Sequence, residues 1–274
     1  MSKIAGIGKI GRERLSRVLE SNPPIVTSEL VASILNISRK EASRSLYRWN
    51  KNGWVQRVKR GVYIPVPLSS TSDSPVIEDP YFVADSIYGP GYIGGFSAVK
   101  HWDLTEQIIE TTYYFTSKQV KDRSPSYNST KFKIKTIKPN KIFGLKSIWM
   151  GSKKVFISDP TKTLIDIIED PKLVGGMRIV EDIYREYLDS DYFNLEKIIE
   201  YARSINNRTV MKRLGFLTEA THTDKIPYDT LCLFQSEISS GYSFFDTTIK
   251  GNLTNDKWKL KITDSWKKQY DRKK

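Results

Sequence analysis

The chain has 274 residues, 39% of them hydrophobic, with 44 Lys/Arg against 31 Asp/Glu for a formal net charge of +13. That apolar content can build cores and excludes global disorder, the length suits two domains, and no run nears the ~18 apolar residues of a membrane span. A single cysteine, Cys232, excludes an internal disulfide, and two distant histidines, His101 and His222, form no zinc-ligand cluster.

The opening MSKIAGIGKIGRERL lacks the apolar core of a signal peptide, so a reducing, cytoplasmic setting is expected. Residues 9–20 carry Leu15, Val18 and Leu19 at helical spacing, predicting a first helix. A second helix is expected over 28–35, with Thr27 as N-cap and Leu30, Val31 and Ile34 on one face. After a short turn at Asn36 and Ile37, Ser38 caps a third helix, with Glu41 completing a capping box. It runs to about Asn50 and stops at Gly53. Two short strands follow, Trp54–Val58 and Val62–Pro65, around Lys59-Arg60-Gly61. Helix, helix, short turn, capped helix and hairpin, in that order, predict a winged helix-turn-helix over residues 1–68.

PVPLSSTSDSPVIEDP, residues 65–80, then reads as linker sequence, with the Pro/Ser-rich linker placed at 69–79. Residues 80–274 are expected to form an α+β domain. Helices are predicted at 80–88, 97–102, 159–169, 176–188, 194–204, 208–220 and 228–239. Asp159-Pro160 supplies an N-cap and an N1 proline for one of them. Strands are predicted at 111–116, 131–137, 145–150, 153–157 and 258–263.

The charge is unevenly spread. Residues 1–68 hold 13 Lys/Arg and 4 Asp/Glu, residues 250–274 hold 9 and 3, and the stretch between is near neutral. Wound on a helical wheel with Leu46 inward, the third helix turns Ala42 and Trp49 to the core and Lys40, Arg44, Tyr47, Arg48 and Lys51 outward. A helix of this width fits the major groove of duplex DNA. Arginine and lysine bond guanine O6 and N7 there and neutralise phosphates. Arg39 and Ser43 flank the row, and Arg57, Lys59 and Arg60 put a second basic element on the hairpin. The expected DNA-binding set is therefore Arg39, Lys40, Ser43, Arg44, Tyr47, Arg48, Lys51, Arg57, Lys59 and Arg60. A basic helix face is often no more than a solvated face, and only its combination with the hairpin makes this one specific.

No catalytic, metal or cofactor site is expected. There is no phosphate-binding loop and no H-E-x-x-H, and the glycines at 89, 91, 94 and 95 read as a turn before a helix. Asp166 and Glu169 share a helix face and read as solvated carboxylates. Lys257, Lys259 and Lys261 alternate with Trp258, Leu260 and Ile262, which reads as an edge strand blunted by lysines; extra contact with nucleic acid or an acidic partner is the other reading. Two further functions stay open on the residues alone. One is a ligand-responsive transcription factor with a pocket around Tyr88–Trp102. The other is a DNA-targeted nuclease.

The segment ISRKEASRSLYRWNKNGWVQRVKRGVYIPVP resembles the N-terminal domain of AbiEi-family antitoxins, down to the R-G-x-Y-x-P strand at Arg60–Pro65. DPYFVADSIYGPGYIGGFSAVKHWDLTEQ (79–107) and VFISDPTKTLIDIIEDPKLVGG (155–176) resemble it too, with Asp103 where a glycine is expected. The resemblance implies a non-enzymatic antitoxin of an abortive-infection system against phage. Such a protein binds inverted repeats in its own promoter and represses the operon, and its C-terminal domain neutralises a nucleotidyltransferase-like toxin. A monomer or weak dimer that pairs on DNA and a preformed dimer both fit.

Overall fold

The computed structural model describes residues 8–66, 77, 79–127, 129–150 and 153–272. The linker expected at 69–79 lies outside the described residues except for Ile77 and Asp79. The chain divides into two compact units: Met1–Gly91 with Glu110–Lys135 and Trp149–Val155, and Tyr92–Ile109 with Thr136–Ile148 and Phe156–Lys274.

The first unit begins with α1 (Lys9–Leu19), β1 (Val26–Thr27), α2 (Ser28–Leu35), α3 (Arg39–Lys51), β2 (Val55–Lys59) and β3 (Val62–Pro65). Its helices form where expected because their stop signals are local. Thr27 Oγ1 accepts from the Leu30 amide at 3.2 Å to start α2, and Asn36, in the left-handed region at φ 52°, ends it. The strands form a sheet in the order β1–β3–β2. Val26 and Thr27 pair antiparallel with Tyr63 and Val62, a partner strand that the sequence reading missed at only two residues long. Leu15, Val18, Val26, Val31, Leu35, Ala42, Leu46, Trp49, Val55 and Tyr63 make one buried core under these elements.

The rest of this unit holds α4 (Pro80–Tyr88) and three strands. β4 (Gly91–Ile93) starts at its boundary, and β5 (Thr112–Thr116), β6 (Ser126–Tyr127) and β7 (Thr130–Thr136) follow, in the order β6–β7–β5. Tyr114 donates to Asp85 Oδ1 at 2.6 Å and so ties β5 to α4. Gly91 is required where it stands, since a Cβ would overlap the Phe115 carbonyl. The expected turn is thus partly a strand, and Gly94 is the N-cap of the helix that follows.

The second unit contains α5 (Gly95–His101), the first part of β8 (Leu145–Met150), the last part of β9 (Lys153–Ser158), α6 (Pro160–Glu169), α7 (Met177–Asp189), α8 (Leu195–Ser204), α9 (Arg208–Thr221) and α10 (Tyr228–Ser236). After these come β10 (Ser243–Phe244), β11 (Leu253–Asn255), β12 (Leu260–Ile262) and α11 (Asp264–Asp271). Strands β4, β9 and β8 are neighbours in that order, and Ile93 and Ile157 pair parallel. Tyr88, Tyr92, Ile93, Phe96, Ala98 and Val99 are all buried, so the aromatic and glycine-rich stretch builds core.

Helix α6 is buried from Pro160 to Ile168, which overturns the solvated reading of its carboxylates. Asp166 is 3% exposed. It forms an ion pair with Lys162 one turn earlier and accepts from the Tyr92 hydroxyl at 3.0 Å. Glu169 pairs with Lys141 and accepts from Asn207 Nδ2 at 3.1 Å. Burying these charges is tolerable only because each has specific donors. Arg213 on α9 donates to the Ile168 and Glu169 carbonyls at 2.8 and 2.7 Å and to the Phe244 carbonyl at 2.9 Å, joining the end of α6 to β10.

The last segment departs furthest from expectation. Strand β12 is not an edge. It lies between β10 (parallel) and β11 (antiparallel). Only Leu260–Ile262 are extended as a strand, because Lys259 takes φ 51° and breaks the alternation before them. Trp258 is fully buried; its indole donates to Glu219 Oε2 at 2.7 Å, and Gly215 of α9 makes room for its ring. The tail then ends in α11, whose Trp266 is buried and whose Tyr270 stacks on Phe216 at 5.0 Å.

Candidate nucleic-acid interface

The candidate interface starts from the cap of α3. Ser38 Oγ accepts from the Glu41 amide at 3.3 Å, and Glu41 Oε2 accepts from the Ser38 amide at 3.1 Å and hydroxyl at 2.8 Å. These bonds hold the Glu41 carboxyl below the usual carboxylate range. They also commit the only acid within residues 38–60, where eight Lys/Arg are found, to a structural task. The helix is thereby fixed at its first turn. Ala42, Ser45, Leu46 and Trp49 anchor it to the core along one side.

What the core rejects is the other side. All ten side chains of the expected DNA-binding set are exposed. Lys40, Ser43, Arg44, Tyr47 and Arg48 line a single open groove together with Glu41, Ser45 and Arg14. Tyr47 is 65% exposed, so a large ring stands in water among cations. Arg39, at the N-terminal end of the helix, is paired with Glu29 of α2.

The hairpin carries the remaining three. Asn50 Oδ1 accepts from the Arg57 amide at 2.9 Å, so the end of α3 positions β2. A bulge falls between Arg57 and Lys59 in the pairing with β3, and Gly61 closes the tip at φ 79°. Lys59 Nζ donates to the Ile87 carbonyl at 3.1 Å, so its ammonium already has a partner where the sequence reading gave it only DNA. Arg60 is exposed at the tip.

One contribution to the groove escaped the sequence reading. Arg14 lines it from α1, and its position on the flank of the Leu15/Val18 face was the available signal. Elsewhere in the chain, a basic run was hidden by averaging. Residues 118–154 hold eleven Lys/Arg and a single acid, Asp122, inside a stretch whose overall balance is near neutral. On β7, Lys131 and Lys133 are exposed, alternating with buried Phe132 and Ile134.

The arrangement can bind a polyanion through point charges, present arginine forks to base edges, and place one aromatic ring beside them. Among the described residues no group of three or more His, Cys, Asp or Glu is placed to hold a metal ion, and no helix is long and apolar enough to cross a membrane. Residues 13–66, which contain all ten side chains, match the family described as transcriptional regulator, AbiEi antitoxin. The segments 79–107 and 155–176 lie outside that match. No curated protein matches the chain.

Proposed function

We propose, from the match of residues 13–66 to the AbiEi antitoxin family of transcriptional regulators, that this protein is an antitoxin that represses its own operon. In this reading residues 8–66 act as a winged helix-turn-helix, and α3 enters the major groove at inverted repeats in the promoter. Arg44 and Arg48 face base edges from the middle of the helix. Lys40, Lys51, Arg57 and Arg60 neutralise phosphates on either side, and the β2–β3 hairpin serves as the wing. Repression follows from promoter occlusion, and the chain has no catalysis of its own. Residues 80–274 neutralise a nucleotidyltransferase-like toxin encoded alongside.

One observation carries the DNA-binding part. The outward face of α3 is a continuous basic groove, and its only acid is tied into the helix cap. The test is operator binding by the chain carrying Arg44→Ala and Arg48→Ala. Each guanidinium that reads a base is worth about 1–3 kcal/mol of discrimination, so the double variant is expected to bind at least about tenfold more weakly and to lose preference for the repeats. Unchanged operator affinity would overturn the assignment of α3. The antitoxin part is tested by co-expression with the adjacent gene, where failure to restore growth counts against it.

A further inference from the structure

The small sheet β10–β12–β11 has two unlike faces. On one, Phe245, Trp258, Leu260 and Ile262 are buried, and Phe216 of α9 meets Phe245 at 4.6 Å. On the other, aromatic rings are left in water. Tyr242 is 43% and Phe244 40% exposed. Each has a lysine ammonium over its ring, Lys259 at 5.5 Å and Lys261 at 5.3 Å. The register explains the second pair, since Phe244 and Lys261 are directly opposed across the parallel strands. Tyr242 precedes Phe244 by two residues and is oriented by a hydrogen bond to Asp256.

We propose that this face binds single-stranded nucleic acid. Tyr242 and Phe244 serve as stacking platforms for bases, and Lys259 and Lys261 neutralise the adjoining phosphates. The face offers two pairs, each of one flat ring and one cation. That repeat of base-sized platform and phosphate-sized charge suits a strand whose bases are unstacked. A duplex has no free base faces for the rings to meet. An acidic peptide would use the cations but has no need of two rings set beside them. Lys259 and Lys261 form no ion pair among the described residues, whereas Lys257 is held by Glu219. In the absence of a polyanion the two ammonium groups rest on the rings, and phosphate is the stronger partner. The inference is independent of the promoter-binding reading, because none of its residues lies in residues 13–66.

The test is fluorescence anisotropy of the full chain with labelled 12-nucleotide oligouridylate and oligothymidylate, with a duplex of mixed sequence alongside. The two single strands separate RNA from DNA as the physiological source. Tyr242→Ala/Phe244→Ala is expected to weaken single-strand binding by about tenfold or more while duplex affinity stays within about twofold. Phe244→Leu keeps the apolar volume and deletes the flat ring, so it must also weaken single-strand binding. Lys259→Gln/Lys261→Gln is expected to reduce the slope of log affinity against log salt by about 1.4, at about 0.7 per phosphate contact on a single strand. Arg44→Ala/Arg48→Ala should show the reverse selectivity. The proposal is overturned if the aromatic double variant or Phe244→Leu binds the single strands as the parent does. Equal losses on duplex and single strand, or competition by oligoglutamate as effective as by unlabelled oligouridylate, also overturn it.

Discussion

Substituting Gly215 by alanine sets two effects against each other. Gly215 lies inside α9, where alanine is intrinsically favoured by about 0.8–1.0 kcal/mol. Against this, an added Cβ would overlap the Trp258 ring, and even the third-nearest ring atom, Cζ2, would be only 2.5 Å away. Carbon atoms rest at about 3.5–4.0 Å, so the ring has to retreat by about 1 Å or more. It is poorly placed to do so. It is fully buried, its indole is bonded to Glu219 at 2.7 Å, and its amide donates to Asn255 Oδ1 at 2.9 Å. Overpacking of this kind costs about 1–3 kcal/mol, and giving up a hydrogen bond to a charged acceptor adds about 1.5–3 kcal/mol. After the helix-propensity gain the net expectation is a loss of about 1.5–5 kcal/mol, or about 3–20 °C in the unfolding midpoint of the second unit. Calorimetry on the full chain measures it. The partner variant Trp258→Leu vacates the ring space, so Gly215→Ala should cost less in that background than in the parent. If Gly215→Ala alone leaves the midpoint unchanged or raises it, propensity has won and the packing of Trp258 on α9 is wrong.

Three further outcomes are expected. Lys162→Met removes the counter-ion of the buried Asp166 carboxylate and should cost about 3–5 kcal/mol in urea unfolding, whereas Lys162→Met/Asp166→Leu recovers much of that loss; a double variant no better than the single refutes the pairing. At Glu219, burial alone would raise the carboxyl, but donation by Lys257, Tyr270 and Trp258 outweighs it and holds the group below its usual range. Its stabilisation is therefore fully present above the unfolded value of about 4.3 and is lost as pH falls through the depressed folded value. Glu219→Gln should flatten the loss of thermal stability between about pH 5 and 3, and an identical pH profile would refute that role. Ser38→Ala removes the acceptor that starts α3 and should lower stability by about 1 kcal/mol, measured by thermal unfolding, with Ser38→Asp restoring it; full stability of the alanine variant would mean that the cap contributes nothing.

The N-terminal helices and hairpin were legible because their signals are short-range. Ser38 and Glu41 are three residues apart, Ala42, Leu46 and Trp49 repeat at helical spacing, and Gly61 marks the tip. Each can be read in a window of a dozen residues. Leu35, not Leu30, is the buried leucine of α2, since which neighbour a helix face meets is a tertiary matter. Asp166 was misread for the same reason. Its acidic neighbour at 169 was visible, but Tyr92 is 74 residues away in sequence, and nothing local says that α6 is surrounded. The alternation at Trp258–Ile262 correctly divided inward from outward residues. It was silent on strand order, because β10 and β11 are two and three residues long and carry too little pattern to be found. Charge was legible as a total, but averaging a long stretch erased the basic run over 118–154.

The position of β12 has a bearing on how the chain is made. Strands β10 and β11 are neighbours of β12 and not of each other. Both therefore leave the ribosome without a partner and wait until residues 260–262 have followed. A message cut short before Trp258 would leave the groove at Gly215 empty and strip Glu219 of its indole and lysine donors. The α9 face that Phe245, Trp258 and Trp266 normally help to cover would then be open to proteases and chaperones. This small sheet therefore closes only once residues 260–262 are present to pair with both of its other strands.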